Sequence, residues 1–387
     1  MGLRPLPSGA FRIQDEGIWA AKAAVVDAWG LPSRALTDLD LNRRGTVIQE
    51  PENHPAFEGR HDVVERFRAG FAWQADDAGT TRWIPQGLTG EADGTDEGEA
   101  GRTWLAVSWH NEHDDVDKGM RVSFIDVTAG ANPILYRNVL LVTPVAAGDD
   151  PSMHATFAAI PAHAGGALWF RNYLYVADSR GFDGGRPGGV LVFDMTNIKE
   201  VDPSRDDLIG WSASDDAYHA FGYRYVLPQV GRYVQVARDV AERLRWSFIG
   251  LDRTNTTRNL MMGEYTTSDE APGRLVWWSL DERTGRLTAA SPDRPLSASL
   301  ARACSHEQFL QGCHSQDALA DGTVWLTRTS GRDALCDRPV AGGEGATFQP
   351  WADQPEGLTY APSSDNLWCV TERAGSRAVF AVKRASV

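Results

Sequence analysis

The chain has 387 residues, with 38 Lys and Arg against 52 Asp and Glu and a formal charge of −14. That charge disfavours nucleic acid, whose binders carry a basic stripe that displaces counterions, and anionic membrane surfaces for the same reason. Charged residues make up 23% and hydrophobic ones 42%, enough to bury a core, and no run of about 18 apolar residues marks a membrane span.

The first 17 residues, MGLRPLPSGAFRIQDEG, lack the apolar stretch of a signal peptide, which leaves a cytoplasmic protein or a processed secreted form. Residues 16–29, EGIWAAKAAVVDAW, have helical spacing. Ile18, Ala21, Val25, Ala28 and Trp29 fall on one face, and the Lys22 stem lies at its edge. Gly30, Leu31 and Pro32 stop that helix. Residues 61–69, HDVVERFRA, read as a second short helix. Residues 1–80 are expected to be an extension packed on a main domain of residues 81–387, because two short helices bury little alone.

From Trp83 onward a three-part unit recurs. Its first part is a short strand with a small residue, at 85–87, 161–166, 248–250, 310–312 and 355–357. An aromatic-aliphatic strand follows: TWLAVSW (103–109), YLYVADS (173–179), NLMMGEY (259–265), TVWLTRTS (323–330) and NLWCVTE (366–372). The third part is MRVSFIDV (120–127), GGVLVFDM (188–195), GRLVWWSL (273–280) and SRAVFAVK (376–383), with ALCDRPV (334–340) as the weak candidate in the fourth unit. The predicted fold is all-β: a five-bladed β-propeller with an N-terminal, partly helical extension. One four-stranded sheet cannot bury both faces, and stacking sheets around an axis buries them all. The 14 Trp and 38 Gly fit this pattern, with most indoles filling the wedges between blades.

In such a ring the first strand of each unit lines the axis, where Gly permits close approach. Gln86, His163, Gln311 and Glu356 occupy equivalent Gly-adjacent positions and are expected to converge. Gln, Glu and His are poor choices for a buried strand face, so the convergence points to a polar pocket. Glu356 and His163 are the candidate catalytic acid and base. Gln86, Gln311, His314 and Glu264 are candidate substrate-binding groups, Glu264 being unusual after two Met on an apolar strand. The strand-end residues Asp178, Glu264, Arg328 and Glu372 form a weaker second ring, and Asp178 and Glu372 are expected to pair with Arg180 and Arg373.

Two loops carry tempting side chains. Asp115 and Asp117 before Gly119 have some look of a calcium turn but lack the further ligands of an EF-hand, so an acidic hairpin tip is expected. Cys313, His314, Ser315 and Asp317 are neighbours in sequence, whereas catalytic triads assemble in space. No G-x-S-x-G elbow and no phosphate loop occurs. The four cysteines, Cys304, Cys313, Cys336 and Cys369, contain no C-x-x-C, which disfavours zinc. They are expected to be buried or free thiols, with a Cys304–Cys313 bridge as the alternative.

The strings HAGGALWFRNYLYVADS (163–179), FGYRYVLPQ (221–229), LMMGEY (260–265) and GLTYAPSSDNLWCVTERAGSRAVFAV (357–382) resemble a group of uncharacterised, often secreted actinobacterial proteins. The likeness spans roughly residues 83–387 and implies a propeller, not a reaction. More distantly, the Pro-Glu-Gly and Leu-Trp/Tyr strand pairs look like gluconolactonase-like and strictosidine-synthase-like propellers. That resemblance implies a Glu near the axis and a small-molecule site, sometimes built on a metal. An Asp is expected beside the inner Glu, and Gly357 stands there instead.

The function expected is general acid-base chemistry on a small molecule in an axial pocket: a cyclase, lyase, isomerase or hydrolase of secondary metabolism. No cofactor motif is evident, and a divalent metal is allowed. The alternative is a non-catalytic glycan- or protein-binding propeller.

Overall fold

A computed structural model describes residues 3–7, 11–94, 103–112, 116–148, 153–179, 187–237, 243–264, 273–306, 315–320, 323–328, 334–339 and 347–386, with the backbone alone at most positions of 301–323 and 328–348. The chain is mostly β, its strands joining a nine-stranded sheet and a larger sheet that closes like a barrel.

Within these sheets the strands fall into antiparallel groups of four. The first is Trp83–Gly90, Trp104–Asn111, Met120–Asp126 and Ile134–Val145. The second is Ala167–Phe170, Tyr173–Asp178, Gly189–Asp194 and Tyr225–Gln235. The third is Trp246–Asp252, Asn259–Glu264, Gly273–Ser279 and Leu300–His306. Ser315–Ala320, Thr323–Arg328, Ala334–Pro339 and Thr347–Pro350 make the fourth. The fifth takes Pro355–Ala361, Asn366–Thr371 and Ala378–Lys383 from the C-terminal end and Phe67–Ala72 from the N-terminal end.

Side-chain alternation explains how the groups stack. Leu174 and Val176 pack with Trp104 and Ala106 of the first group. Tyr175 and Ala177, between and beyond them, pack with Trp246, Ile249 and Trp278 of the third. Leu367 and Cys369 face Trp325 of the fourth group, while Trp368 and Val370 face Val107 and Trp109 of the first. Both faces of each sheet are therefore buried, which is why these strands read as continuous apolar runs. The indoles fill the seams, as the composition suggested.

First strands approach backbone to backbone. A Cβ on Gly87 would stand 2.3 Å from the Ala167 N, one on Gly166 2.1 Å from the Ile249 N, and one on Gly357 2.1 Å from the Leu88 N. Only glycine permits that contact.

The N-terminal residues run along outer edges. Leu3–Pro5 pairs with the third group, Ile13–Asp15 with the second, and Arg43–Val47 with the first. The helix forms at Trp19–Asp27. Its buried face is Val26 and, just beyond the helix, Trp29, while Ala21 and Ala28 are exposed, against expectation. The large side chains have the area to gain from burial and the alanines do not. The Lys22 Nζ, expected in water, donates instead to Thr143 Oγ1 and the Pro144 carbonyl at 2.8 and 2.7 Å. The second helix is His61–Arg66, shorter than predicted, because from Phe67 the chain turns extended to pair with Ala378–Lys383. Among the described residues no helix is long and apolar enough to cross a membrane.

Candidate active site

At one end of the first strands lies a cavity of about 700 Å³, lined by Gln86, His110, Glu112, His163, Glu356, Glu372 and Arg377 among others. At the other end the strands are tied together. The Asp93 carboxylate accepts from Thr89 Oγ1 and Thr359 Oγ1 at 2.7 Å each, and pairs with Arg253 at 3.0 Å. One end is thus open to a ligand and the other is bolted.

Three of the predicted residues, Gln86, His163 and Glu356, meet in the cavity. Gln86 and Glu356 come from first strands, as expected. His163 comes instead from the loop before the strand Ala167–Phe170. Ser108 fixes that loop: its Oγ accepts from the Gly87 amide at 3.0 Å and donates to the Ala164 carbonyl at 2.9 Å. Ala164 sits at φ +54°, and Gln354, two residues before Glu356, at φ +45°. Two non-glycine residues in the left-handed region thus flank His163 and Glu356. Each costs on the order of 1–2 kcal/mol, and such strain clusters at functional sites.

The other expected residues fare differently. Glu264 is not on the cavity wall; Arg274 holds it, with Nε to Oε2 and Nη2 to Oε1 at 2.6 and 2.7 Å. Its strand ends where Arg274 of the next strand can fork onto the carboxylate, so its burial is compensated locally. Gln311 and His314, like Cys313 and Arg180, lie outside the described residues. Asp178 pairs with Arg232 at 3.3 Å. Arg373 pairs with Asp353. Asp117 accepts from the Gly119 amide at 2.7 Å, an ordinary turn. Cys369 is buried.

Glu372 is the main correction. Expected on Arg373, it points to the cavity, where its side chain hydrogen-bonds that of Glu356. Gln86 Nε2 donates to Glu372 Oε2 at 3.2 Å and to its neighbour's carbonyl, that of Pro85, at 3.0 Å. Burial pushes the Glu372 carboxyl above the usual range, against the pull of its hydrogen bonds and of Arg377. A carboxyl–carboxyl hydrogen bond needs one proton, so a pair arranged this way can hold a proton between an acid and a base. With Glu112 at the rim, the cavity carries three carboxylates where sequence reasoning placed one.

His110 and Arg377 were also missed. His110 stacks on His163 with ring centroids 4.1 Å apart and planes 25° apart. Burial, then His163, then Arg377 press the His110 imidazole down to about 3. His163 is open to water on its other side. Crowding lowers its pKa too, and Glu112 opposes the change. Both rings are neutral at pH 7. Arg377, buried, donates from Nε to the Glu372 carbonyl at 2.6 Å and from Nη1 to the Asp77 carbonyl at 2.8 Å. Among the described residues no group of three or more His, Cys, Asp or Glu is arranged to hold a metal ion.

The fold and site define a mostly β protein with a polar cavity at one end of its first strands. No protein-family model matches the chain, and no curated protein matches it. Two solved structures are similar to it at low score. One is the holo form of the pyranose dehydrogenase PQQ domain from Coprinopsis cinerea, with 10% identity over 79% of this chain and 94% of that chain, TM-score 0.30. The other is a putative glycoside hydrolase from Parabacteroides distasonis, with 10% identity over 92% and 98%, TM-score 0.33.

Proposed function

We propose that the protein is an enzyme acting by general acid–base chemistry on a small molecule in this cavity, and that its strand groups are the blades of a five-bladed propeller wrapped by residues 1–80. The observation that carries this proposal is the Glu356–Glu372 hydrogen bond, with Gln86 fixing one partner. A shared proton gives a donor and an acceptor at neutral pH, as in carboxyl dyads generally. The protonated member serves as general acid. His163, neutral and accessible, serves as general base. Two carboxyl groups in direct contact leave no room for a sugar ring between them, which argues against a glycosidase pair separated by about 5 Å or more. A lyase, isomerase, cyclase or hydrolase step needing one proton given and one taken fits the arrangement.

The test has two parts. Glu356→Gln and Glu372→Gln are each expected to slow turnover of any substrate found by about 100-fold or more. A carbon-13 titration of glutamate carboxyls should show one signal protonating above the normal glutamate range, and lose it in either variant. Wild-type turnover in both variants sinks the proposal. Unperturbed carboxyls, with ligand held on outer loops, would favour the non-catalytic binding propeller.

A further inference from the structure

Three guanidinium groups converge on the short helix Ala75–Gly79, and its Asp77 compensates two of them. The Asp77 carboxylate takes Arg121 Nη2 and Arg43 Nη1, both at 2.7 Å, and also accepts from Tyr136 Oη at 2.7 Å. Arg121 is further held between the Trp83 and Trp109 rings at 4.6 and 4.5 Å. Arg43 has a second carboxylate in Asp76. Arg377 receives only the Asp77 carbonyl and the Glu372 carbonyl. Its side chain is 1% exposed, it makes no ion pair among the described residues, and its Nη2 has no hydrogen-bond partner.

A buried cation without a counter-charge is costly, and the cost falls when an anion arrives. Two carboxyls act on Arg377 without pairing with it, Glu372 and Asp77, and Asp77 is already shared by Arg43 and Arg121. Since Glu372 takes part in the shared proton with Glu356, its negative charge is diluted. A second polar atom points the same way: His110, 8% exposed on the same cavity wall, has Nδ1 buried without a partner. Guanidinium and imidazole nitrogens that are buried without partners, on two residues of one cavity wall, mark a place for an acceptor.

We propose that the cavity takes a small organic acid, its carboxylate seated between Arg377 Nη2 and His110 Nδ1 and its remainder facing Glu356, Glu372 and His163. This names the substrate class and rests on the cavity being the reaction site. Arg377 is then a substrate-binding residue, and His110 donates through its Nδ1–H tautomer. An arriving anion raises the cost of ionising Glu372, so binding favours proton uptake.

The experiment compares acids with amides of matched shape, phenylacetate with phenylacetamide and succinate with succinamide, by titration calorimetry on the full chain at pH 7. Each acid is expected to bind about tenfold or more tighter than its amide. Heats in buffers of different ionisation enthalpy should report proton uptake. Arg377→Gln should abolish the preference. Because that variant removes two backbone hydrogen bonds, Glu372→Gln is the companion: it keeps Arg377, strengthens acid binding and ends the proton uptake. Equal binding of acid and amide overturns the proposal, as does a preference that survives in folded Arg377→Gln. Tight acid binding without proton uptake in the wild type supports the anion seat while removing the shared proton, so the two proposals fail separately.

Discussion

At the scale of the residue, the site is a set of groups held away from their ordinary protonation. His110 is the clearest. Its folded pKa of about 3 lies below the unfolded value, so the unfolded chain takes a proton that the folded one refuses. Stability is therefore full above pH about 6.5 and lost as pH falls from there toward about 3. His110→Gln is expected to flatten this. Denaturant unfolding at pH 7 and pH 4.5 should show the wild type losing roughly 2 kcal/mol more than the variant. An equal loss in both proteins would mean the ring protonates freely. Gln354 offers a second check. Gln354→Gly removes a left-handed penalty at φ +45° and should stabilise by about 1 kcal/mol in the same assay. A loss of stability would show that the side chain contributes more than the strain costs. Gln86 and Glu356 were legible in sequence because both precede glycines in repeated strands. Glu372 was not, since one residue of register decides which way a strand-end side chain points. His110 looked like one member of an acidic loop, and Arg377 like the lead-in to a strand. Nothing in their spacing reports that the chain folds them onto one wall.

At the scale of the element, glycine and alternation do the organising. Gly166→Ala would place a methyl 2.1 Å from the Ile249 amide nitrogen, against backbone that cannot rotate away. The expected loss is about 3 kcal/mol. Gly59→Ala is the control: it has open space and only a positive φ of +69° to pay for, so about 1 kcal/mol is expected. Equal effects would show that the first strands are not in tight contact. Strand identity was readable wherever both faces are buried, as in YLYVADS and NLWCVTE. The outer strands were not read, Tyr225–Gln235 least of all: it is mostly buried, but Pro228, Gln229, Gly231 and Arg232 interrupt its apolar run. The stretch at Phe67 was taken as helix, since its apolar residues fit both periods and only its distant partner settles the matter.

At the scale of the whole molecule, the N-terminal residues matter beyond their own small core. They supply the outer strand of the fifth group, and Phe71 and Trp73 pack with Trp109, Tyr136 and Val379. A chain beginning at Ala75 leaves the edge of Ala378–Lys383 open and strips those rings from the seam. It is expected to self-associate in gel filtration and to bind a hydrophobic dye, as exposed edges and apolar seams do. A chain beginning at Phe11 loses, among the described residues, the short pairing of Leu3–Pro5 and the packing of Leu6, and should stay as dispersed as the full protein. If the Ala75 chain is as well behaved as the full one, the outer strand is dispensable.

That same pairing sets an order of events during synthesis. Phe67–Ala72 leaves the ribosome early, but its partner Ala378–Lys383 is made almost last. Between the two, the early strand has no lasting mate, and the late one closes a loop of nearly the whole chain. The four internal groups have local partners and are free to form as they emerge, while the fifth waits for chain completion. A translation stop a few residues short of Ala378 therefore leaves a nearly finished sheet system with one unsealed seam, and it also takes Arg377 from the wall that carries Glu372.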